Sequence, residues 1–436
     1  MERKKVGVIS LGCDKNRVDT EKMLYRLQEK FELTNDPEDA EIIVINTCAF
    51  LSSARKEAID EILSCAALKE AGKLEKLVVT GCLPQKFVAE LYDALPEVDV
   101  FAGISDYDRL VNAIEESFAG ERKNIVGQPA AEPDVPRVLT TDGYAYLKIA
   151  DGCSNFCNYC LIPKIRGAYR SVKEDLLIKE AAQLGKLDEL ILVAQDVTKY
   201  GSDLKNGENL VRLIRKLSAL ENVGHIRLLY CYPESVTKEL IDEIATNEKV
   251  LKYIDIPLQH ADDAVLKSMN RKGTYKSYLA LIDKLKERVK GIAIRSTFIT
   301  GFPGESEEAF GVLLKFLQEA KLFNAGFFKY SKEDGTAAAK MKNQLPERVK
   351  NARLKKLYSA QKKIVANTLK SLVGQKQEVF VESFNGVCYE GRAYFNAPDI
   401  DGKVIFTGAG DFQTGDRVKV RFTGYKDYDL FGEVSE

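Results

Sequence analysis

Short apolar runs alternate with amphipathic stretches over the first part of the chain, residues 1–126. The runs have the length and β-rich composition of strands, and the stretches between them have the pattern of helices. Such βα alternation is typical of a parallel, doubly wound α/β sheet. The predicted strands are Val6–Leu11, Glu41–Asn46, Lys76–Thr80 and Val98–Phe101, and the predicted helices include Thr20–Phe31 and Ser53–Ala71.

The alternation resumes after a predicted linker at residues 127–143, which contains three prolines and no periodicity. Through residues 144–373, each of six predicted strands precedes a polar or glycine-rich loop. This pattern is typical of a β/α barrel whose chemistry lies at the C-terminal face. Six units predict a partial (β/α)6 barrel, with a lateral mouth wide enough for a macromolecular substrate. The predicted strands are Ala145–Ile149, Glu189–Ala194, His225–Leu229, Tyr253–Ile256, Ala293–Ile299 and Gly326–Lys329, and residues 340–373 predict a long helix.

The last residues, 374–436, change to short alternating strands between glycine and aspartate turns. They predict a small antiparallel β-barrel in the style of the OB fold. Residues 375–436 contain seven Lys and Arg against eleven Asp and Glu, a net charge of −4. A barrel that bound RNA electrostatically should be basic, so this one suits a basic protein partner better. The predicted strands are Gln377–Glu382, Gly386–Ala393, Val404–Phe406, Arg417–Phe422 and Leu430–Val434.

Composition narrows the class of protein. The chain has 436 residues, 45% of them hydrophobic and 30% charged, with a net charge of −1. This is an ordinary soluble composition, without the overall basic charge of many nucleic-acid-binding proteins. No apolar stretch approaches the roughly 20 residues that a membrane span needs. Nine cysteines, an odd number, argue against a disulfide framework and favour metal ligation in a reducing cytoplasm.

Three of the cysteines, Cys153, Cys157 and Cys160, share one short loop with the spacing C-x3-C-x2-C. A 4Fe–4S cluster usually has four cysteine ligands, so three thiolates would leave one iron open to substrate. The alternative is a zinc site or structural cysteines. Zinc would need a fourth ligand nearby, and the chain has only two histidines, His225 and His260.

Three other cysteines, Cys13, Cys48 and Cys82, each follow a predicted strand of the first domain. The carboxyl ends of parallel strands meet at one edge of a sheet, where ligands bind. We therefore expect a second three-cysteine cluster there. The alternative is that they are small, half-buried packing residues. Packing is the interpretation for the remaining cysteines, which are Cys65, Cys231 and Cys388.

The cysteine loop, including the aromatic Tyr159 before Cys160, resembles the signature of the radical S-adenosylmethionine superfamily. The whole chain resembles the methylthiotransferase family, and its third domain resembles that family's TRAM domain. The motifs that carry this resemblance are Leu11-Gly-Cys-Asp-Lys-Asn16, Ile45-Asn-Thr-Cys-Ala-Phe50, Leu161-Ile-Pro-Lys-Ile-Arg-Gly167 and Glu333-Asp-Gly-Thr336.

The resemblance implies attachment of a methylthio group to an unactivated carbon. One branch of the family modifies isopentenyladenosine or threonylcarbamoyladenosine in tRNA. The other modifies the β-carbon of an aspartate in small-subunit ribosomal protein number twelve. The tRNA branch typically reads Gly-Cys-Gln-Met-Asn where this chain has Gly12-Cys-Asp-Lys-Asn16. That motif and the acidic third domain favour the ribosomal-protein branch, with tRNA as the alternative substrate.

The resemblance also implies roles for individual residues. Cys153, Cys157 and Cys160 would hold the radical 4Fe–4S cluster, with Tyr159 beside the adenine of S-adenosylmethionine. An auxiliary 4Fe–4S cluster would carry a sulfide or polysulfide co-substrate, and a low-potential donor would supply electrons. The alternative from a different functional class is an iron–sulfur protein without catalytic activity. The auxiliary ligands would be Cys13, Cys48 and Cys82, and the further candidate contacts to S-adenosylmethionine are Gln195, Arg295, Thr297 and Gly301.

Overall fold

The computed structural model describes residues 3–130 and 133–435. Its first part is a parallel sheet with the strand order β2-β1-β3-β4-β5-β6. The strands are β1 (Lys5–Ser10), β2 (Glu32–Thr34), β3 (Ile42–Thr47), β4 (Lys76–Gly81), β5 (Val100–Phe101) and β6 (Lys123–Asn124). The helices are α1 (Asp14–Leu27), α2 (Ser52–Glu70), α3 (Cys82–Ala94) and α4 (Tyr107–Ser117).

Apolar side chains project from both faces of this sheet, as a doubly wound fold requires. Ile43 and Ile45 of β3 pack with Ile62 of α2, whereas Val44 packs on the opposite face with Leu110 of α4. The chain leaves β1 towards the edge strand β2 and returns to the other side at β3. The strand order therefore reverses between β1 and β3, which is where open α/β sheets bind ligands.

Two details of this domain differ from the sequence prediction. Helix α1 begins at Asp14, not at Thr20. Its first turns contain buried polar residues, so the apolar pattern does not reveal them. The short edge strands β2 and β6 carry no strong apolar pattern and were not predicted, since they are only three and two residues long.

The middle of the chain forms six parallel strands in sequential order around an open barrel. They lie in two three-stranded sheets, which a bridge between Ile226 and Val250 connects. The strands of this part are β7 (Tyr144–Lys148), β8 (Ala150–Asp151), β9 (Arg170–Ser171), β10 (Leu187–Val193), β11 (Val223–Leu228), β12 (Tyr253–Asp255), β13 (Ala293–Thr300) and β14 (Asn324–Lys329), of which β8 and β9 form a separate small ribbon. The helices are α5 (Ile162–Ile165), α6 (Glu174–Gln183), α7 (Leu210–Ser218), α8 (Lys238–Thr246), α9 (Asp263–Ser268), α10 (Tyr275–Arg288), α11 (Glu307–Ala320) and α12 (Glu347–Leu372).

The long helix predicted for residues 340–373 begins later than expected. A short 3-10 turn at Ala338–Lys340 precedes it, and α12 starts after Pro346. Proline supplies no amide hydrogen and suits the start of a helix. Buried Leu357 and Val365 then pack α12 against the barrel and the third domain. No helix in residues 3–130 or 133–435 combines the length and apolar character needed to cross a membrane.

The last five strands form a closed barrel with the order β15-β16-β17-β19-β18. Most neighbouring strands are antiparallel, as predicted, but β17 and β19 pair in parallel. Sheet, partial barrel and closed barrel together confirm the predicted fold class. The strands are β15 (Lys376–Phe384), β16 (Tyr389–Arg392), β17 (Val404–Thr407), β18 (Arg417–Lys426) and β19 (Asp429–Val434).

A buried ion network joins this closed barrel to the open one. Glu189 of β10 accepts hydrogen bonds from Arg227 of β11 at 2.5 Å and from Arg392 of β16 at 3.0 Å. All three side chains are almost completely buried. Burial opposes ionisation of Glu189, but the two guanidinium charges outweigh it and hold the pKa at about 2. Removal of Glu189 would leave the buried Arg227 without its ion-pair partner, whereas Arg392 would keep Glu382.

We predict that Glu189→Ala lowers the free energy of unfolding by about 3–5 kcal/mol at neutral pH, because Arg227 and Arg392 lose their common counter-ion. Urea titration measures this. Since the folded pKa is depressed, the difference from wild type should persist above the ordinary glutamate pKa of about 4.3 and shrink as pH falls towards the folded value. The matched control is Glu390→Ala, which removes an exposed pair with Lys403 and should cost less than about 1 kcal/mol. Equal losses in the two variants would contradict the prediction.

Candidate functional site

The loop that carries Cys153, Cys157 and Cys160 runs from β8 to α5, above the carboxyl end of β7. Backbone hydrogen bonds hold it to distant segments. The Cys153 amide donates to the carbonyl of Gly167 at 3.1 Å, and the Asn158 amide donates to the carbonyl of Met269 at 3.0 Å. These bonds hold the start and the middle of the loop to other segments of the barrel domain.

All three loop thiols are half-buried and lie close enough to influence one another's ionisation. Burial raises the pKa of Cys153, and together with the neighbouring thiolates it raises the pKa of Cys160 to about 12. Burial, together with the neighbouring Cys157, raises the pKa of the Tyr159 hydroxyl well above its usual value. The raised pKa values favour neutral thiols at Cys153 and Cys160, and metal ions supply the positive charge that would let such cysteines bind as thiolates.

The structure also brings Cys13, Cys48 and Cys82 together, after β1, β3 and β4. Cys13 is exposed, Cys48 is half-buried and Cys82 is buried. Burial raises the pKa of Cys82 to about 12, with the charges of Cys48 and Cys13 adding to the effect. A Cβ atom at Gly12 would lie 2.9 Å from Cys48 Cβ and 3.4 Å from its sulfur, so only glycine leaves this space open. These cysteines come from three loops far apart in sequence.

Three thiolates can bind three irons of a 4Fe–4S cluster and leave the fourth iron open, and this is the prediction for each cysteine set. Within residues 3–130 and 133–435, no group of three or more His, Cys, Asp or Glu side chains is arranged to hold a metal ion. A cubane has a different requirement, because each thiolate binds its own iron and the sulfurs stay apart. Each histidine has a contact outside the cysteine sets: His225 Nδ1 lies 2.9 Å from Arg417, and His260 Nδ1 accepts from the Asp262 amide at 2.9 Å. His260 Nε2 is buried and has no hydrogen-bond partner among the described residues.

A buried network connects the two cysteine sets through Arg166. Its guanidinium donates to Asp151 at 2.9 Å, beside the radical loop, and to Asp19 at 3.0 Å and Asn16 at 2.6 Å on α1. The same guanidinium lies 3.5 Å from Cys82 Sγ. We call Asn16, Asp19, Lys148, Asp151 and Arg166 the Arg166 network.

Charge balance explains why this network tolerates burial. Burial opposes ionisation of Asp19, but the charges of Lys148 and Arg166 outweigh it and hold the pKa of Asp19 well below its usual range. Lys148 forms an ion pair with Asp19, and Tyr107 donates a hydrogen bond to it at 2.8 Å. Two cations thus compensate the two carboxylates Asp19 and Asp151.

The candidate contacts to S-adenosylmethionine divide into two groups. Tyr159 packs against the apolar cluster that contains Met269 and Phe302. Gln195 donates to Asp151 Oδ1 at 2.8 Å, next to the cysteine loop. Its Oε1 is buried without a hydrogen-bond partner in the part of the chain that the structure describes. Tyr159 and Gln195 therefore lie at the loop, and Gln195 keeps one acceptor available.

The second group lies on β13 and its turn. Arg295 is five residues before the end of β13, about 16 Å along the strand. It pairs with Asp255 at 2.8 Å and faces Asp401 of the third domain at 3.4 Å. Its guanidinium also lies 3.3 Å from the hydroxyl of Thr297. Arg295 therefore contacts the third domain, and Thr297 contacts the Arg295 guanidinium.

Gly301 has a left-handed backbone with φ 78°. A Cβ atom there would lie 2.4 Å from Lys350 Cγ of α12, so the packing of that helix requires glycine. The Gly301 amide donates to Glu305, which also accepts from Thr300 at 3.0 Å. The backbone of this glycine turn hydrogen-bonds with Glu305 of the same segment, as in a turn with a structural role.

Sequence reasoning missed most of the Arg166 network. A lysine at the end of the apolar strand Tyr144–Lys148 and an arginine within Leu161–Gly167 were the available signals. A charge inside an apolar run requires a buried partner. Asp19, the partner that Lys148 and Arg166 share, is more than a hundred positions away from both, so the sequence pattern did not identify it.

A cavity of about 850 Å³ opens where the three domains meet. Cys13, Asp14 and Arg17 line one wall, Tyr230 follows β11 on another, and Asp399 of the third domain completes the rim. The exposed member of the auxiliary cysteine set therefore faces a space that all three domains bound.

We predict that Arg166→Met lowers the free energy of unfolding by about 3–5 kcal/mol, because it leaves Asp19 and Asp151 with less compensating charge. Anaerobic urea titration measures the loss. Arg109→Met is the control, since Arg109 pairs with Asp106 at the surface and its removal should cost under about 1 kcal/mol. A similar loss in both variants would argue against the network.

Three family models match successive parts of the chain. They are Uncharacterized protein family UPF0004 over residues 5–103, the Radical SAM superfamily over residues 147–317 and the TRAM domain over residues 373–434. Among solved structures, the chain is similar to the radical S-adenosylmethionine methyltransferase TsrM from Kitasatospora setae, with a TM-score of 0.53 and 14% identity over 76% of this chain and 75% of that one. The cobalamin-dependent radical enzyme OxsB gives a TM-score of 0.54 with 14% identity, over 83% of this chain and 56% of that one. At this identity the two structures support the fold alone.

Relatives that carry the name ribosomal protein uS12 methylthiotransferase RimO are similar over their full length. One from Clostridium botulinum (strain Eklund 17B / Type B) is 45% identical, over 100% of this chain and 99% of its own. One from Geotalea uraniireducens (strain Rf4) is 46% identical, over 99% of this chain and 98% of its own. These matches confirm the predicted family and its ribosomal-protein branch. This chain belongs to the uS12 methylthiotransferase (RimO) family of radical S-adenosylmethionine enzymes.

Proposed function

We propose that this enzyme attaches a methylthio group to the β-carbon of an aspartate in uS12, the small-subunit ribosomal protein number twelve. The observation that carries the proposal is the pair of three-cysteine sets, joined by the Arg166 network, in a member of this family. A radical enzyme that only cleaved S-adenosylmethionine would need the loop cysteines alone. The second set, beside the 850 Å³ cavity, adds a place to hold sulfur.

Two cofactor sites follow from the donor sets. Cys153, Cys157 and Cys160 would hold a 4Fe–4S cluster, which would supply the electron for cleavage of S-adenosylmethionine. Cys13, Cys48 and Cys82 would hold a second cluster, which would supply a binding position for the transferred sulfur. A low-potential protein or chemical reductant and a sulfide or polysulfide are the co-reactants. The protein itself binds, orients and excludes water.

Individual side chains have defined tasks in this scheme. Tyr159 offers an aromatic face beside the loop, and Gln195 offers its unpartnered Oε1 to a polar group of S-adenosylmethionine. Asp151 holds Gln195 from the other side, so the Arg166 network orients this contact indirectly. Thr297, Arg295 and Gly301 are weaker candidates, because their contacts are to protein groups.

The third domain would dock the substrate protein. Its net charge of −4 over residues 375–436 suits a basic partner. Its Pro398–Ile400 segment reaches the cavity beside Cys13, and Asp399 there is exposed. Electrostatic attraction at the third domain could thus bring a substrate loop to the auxiliary cysteines.

Iron content tests the two cluster sites. Anaerobically reconstituted enzyme should hold about eight irons per chain, and Cys48→Ala should hold about four, because one cubane loses a ligand. Colorimetric iron analysis gives the number. Cys65→Ala removes a buried cysteine of the α2 core and should keep all the iron. Full iron in Cys48→Ala would exclude the second cluster.

Mass spectrometry tests the substrate. With reductant, sulfide and S-adenosylmethionine, the enzyme should add a methylthio mass to uS12 and release 5′-deoxyadenosine. tRNA nucleosides, treated in parallel, should stay unmodified. Modification of tRNA alone would support the tRNA branch, and failure to form 5′-deoxyadenosine would support a non-catalytic iron–sulfur protein.

A further inference from the structure

The charged side chains of helix α12 are almost all cations. Its 26 residues contain eight Lys and Arg against one Glu, a net charge of +7, whereas the whole chain carries −1. Lys350 is buried and pairs with Glu347 at 2.9 Å. Arg353 is buried and pairs with Glu305 at 3.2 Å. The other six cations are exposed to solvent, and they are Arg348, Lys355, Lys356, Lys362, Lys363 and Lys370.

The six exposed cations lie on one face of the helix. Successive residues of an α-helix are rotated by about 100°, so these positions fall within about a third of the circumference. From Arg348 to Lys370 they extend along about 33 Å of the helix axis. We call the surface that these six residues form the basic face. The other exposed positions between the cations contain no carboxylate, and they are Asn351, Ala352, Ser359 and Asn367.

Most of the positive charge on the basic face has no compensating carboxylate. Lys362 pairs with Asp427, in the turn between β18 and β19, and Lys356 lies 5.9 Å from the Phe310 ring. Like charges along a helix repel one another, whereas surface helices are commonly stabilised by pairs of opposite sign. The basic face therefore favours an anionic partner. Within residues 3–130 and 133–435, four of the six cations form no salt bridge, namely Arg348, Lys355, Lys363 and Lys370.

The dimensions and composition of the basic face favour nucleic acid among anionic partners. A single phosphate or carboxylate could contact only neighbouring cations of a face about 33 Å long. Binding to a membrane would require large apolar side chains on the exposed surface, and the basic face has none. The apolar residues of α12 are buried, with Leu357 in the barrel core and Val365 in the core shared with the third domain. Nucleic acid presents a linear array of phosphates, which lysine, arginine and short polar side chains bind.

We infer that the basic face of α12 binds RNA, and that the enzyme acts on uS12 within an RNA-containing ribosomal particle. The second part rests on the proposed function. The third domain beside α12 has the opposite sign, with a net charge of −4 over residues 375–436, and the pair of Lys362 and Asp427 joins the two surfaces. A particle made of basic protein and RNA presents charges that are complementary to both surfaces.

RNA binding tests the basic face directly. Fluorescence anisotropy would measure binding of a labelled RNA hairpin to the anaerobic, iron-loaded enzyme over a range of KCl concentrations. The variant K355Q/K356Q/K363Q/K370Q keeps residues that favour helix but removes four positive charges. It should bind the hairpin at least about tenfold more weakly than wild type. The logarithm of its association constant should also fall less steeply with log [KCl], by about 3 in slope, because each lost lysine releases one phosphate contact.

A matched control removes the same charge from a different surface. The variant K238Q/K276Q/K284Q/K290Q changes four exposed lysines of α8, α10 and the turn after α10, none of which forms a salt bridge in the part of the chain that the structure describes. It should bind the hairpin as wild type does. Iron content and thermal unfolding verify that both variants are folded. Unchanged binding in the α12 variant, or an equal loss in both variants, would overturn the inference. Binding of polyglutamate as tightly as RNA would also overturn it and would indicate an acidic protein partner.

Methylthiolation assays separate this inference from the proposed function. Mass spectrometry would compare free uS12 with uS12 in small ribosomal subunits isolated from cells that lack the enzyme. The α12 variant should modify the subunits about tenfold more slowly than wild type does, and free uS12 at the wild-type rate. If wild type modifies uS12 and the α12 variant modifies both forms equally well, only the role of the basic face is wrong. If wild type modifies neither form, the proposed function fails, and with it the ribosomal part of the inference.

Discussion

The buried guanidinium of Arg166 is the interaction on which both cysteine sets depend. A cation without solvent must have compensating carboxylates, and here Asp19 and Asp151 supply them from different domains. Asp151 adjoins the Cys153 loop, and the guanidinium also contacts Cys82. Protein contacts of this one guanidinium therefore fix the position of the first domain's cysteines relative to those of the barrel.

A second network acts at a distance from this one and has a different consequence. Glu189 lies near the amino end of β10 and holds Arg392 of the closed barrel. Nearby, Asp188 accepts from Arg417 at 2.7 Å. These contacts attach the third domain near the amino end of β10. Its segment around Asp399 still extends to the cavity beside Cys13.

Much of the fold could be predicted because its signals are local. Apolar runs and the loops after them indicate parallel strands, and cysteines at strand ends must share a sheet edge. The first turns of α1 were missed because Lys15, Asn16 and Asp19 look solvent-exposed by pattern, yet distant residues bury them. Arg295 seemed suited to a cofactor from its strand, but a carboxylate of the third domain lies beside it.

The sequence by itself determined the two sets of three cysteines, the order of sheet, barrel and small barrel, and the acidic charge of the last domain. Each depends on spacing or composition, which a linear chain displays directly. Only the tertiary structure decided the Arg166 network, the cavity at the junction of three domains and the contact of Lys15 with Tyr230. These features depend on contacts between buried charged groups and residues that are far away in sequence. The hydrophobic periodicity of the chain carries no information about such contacts.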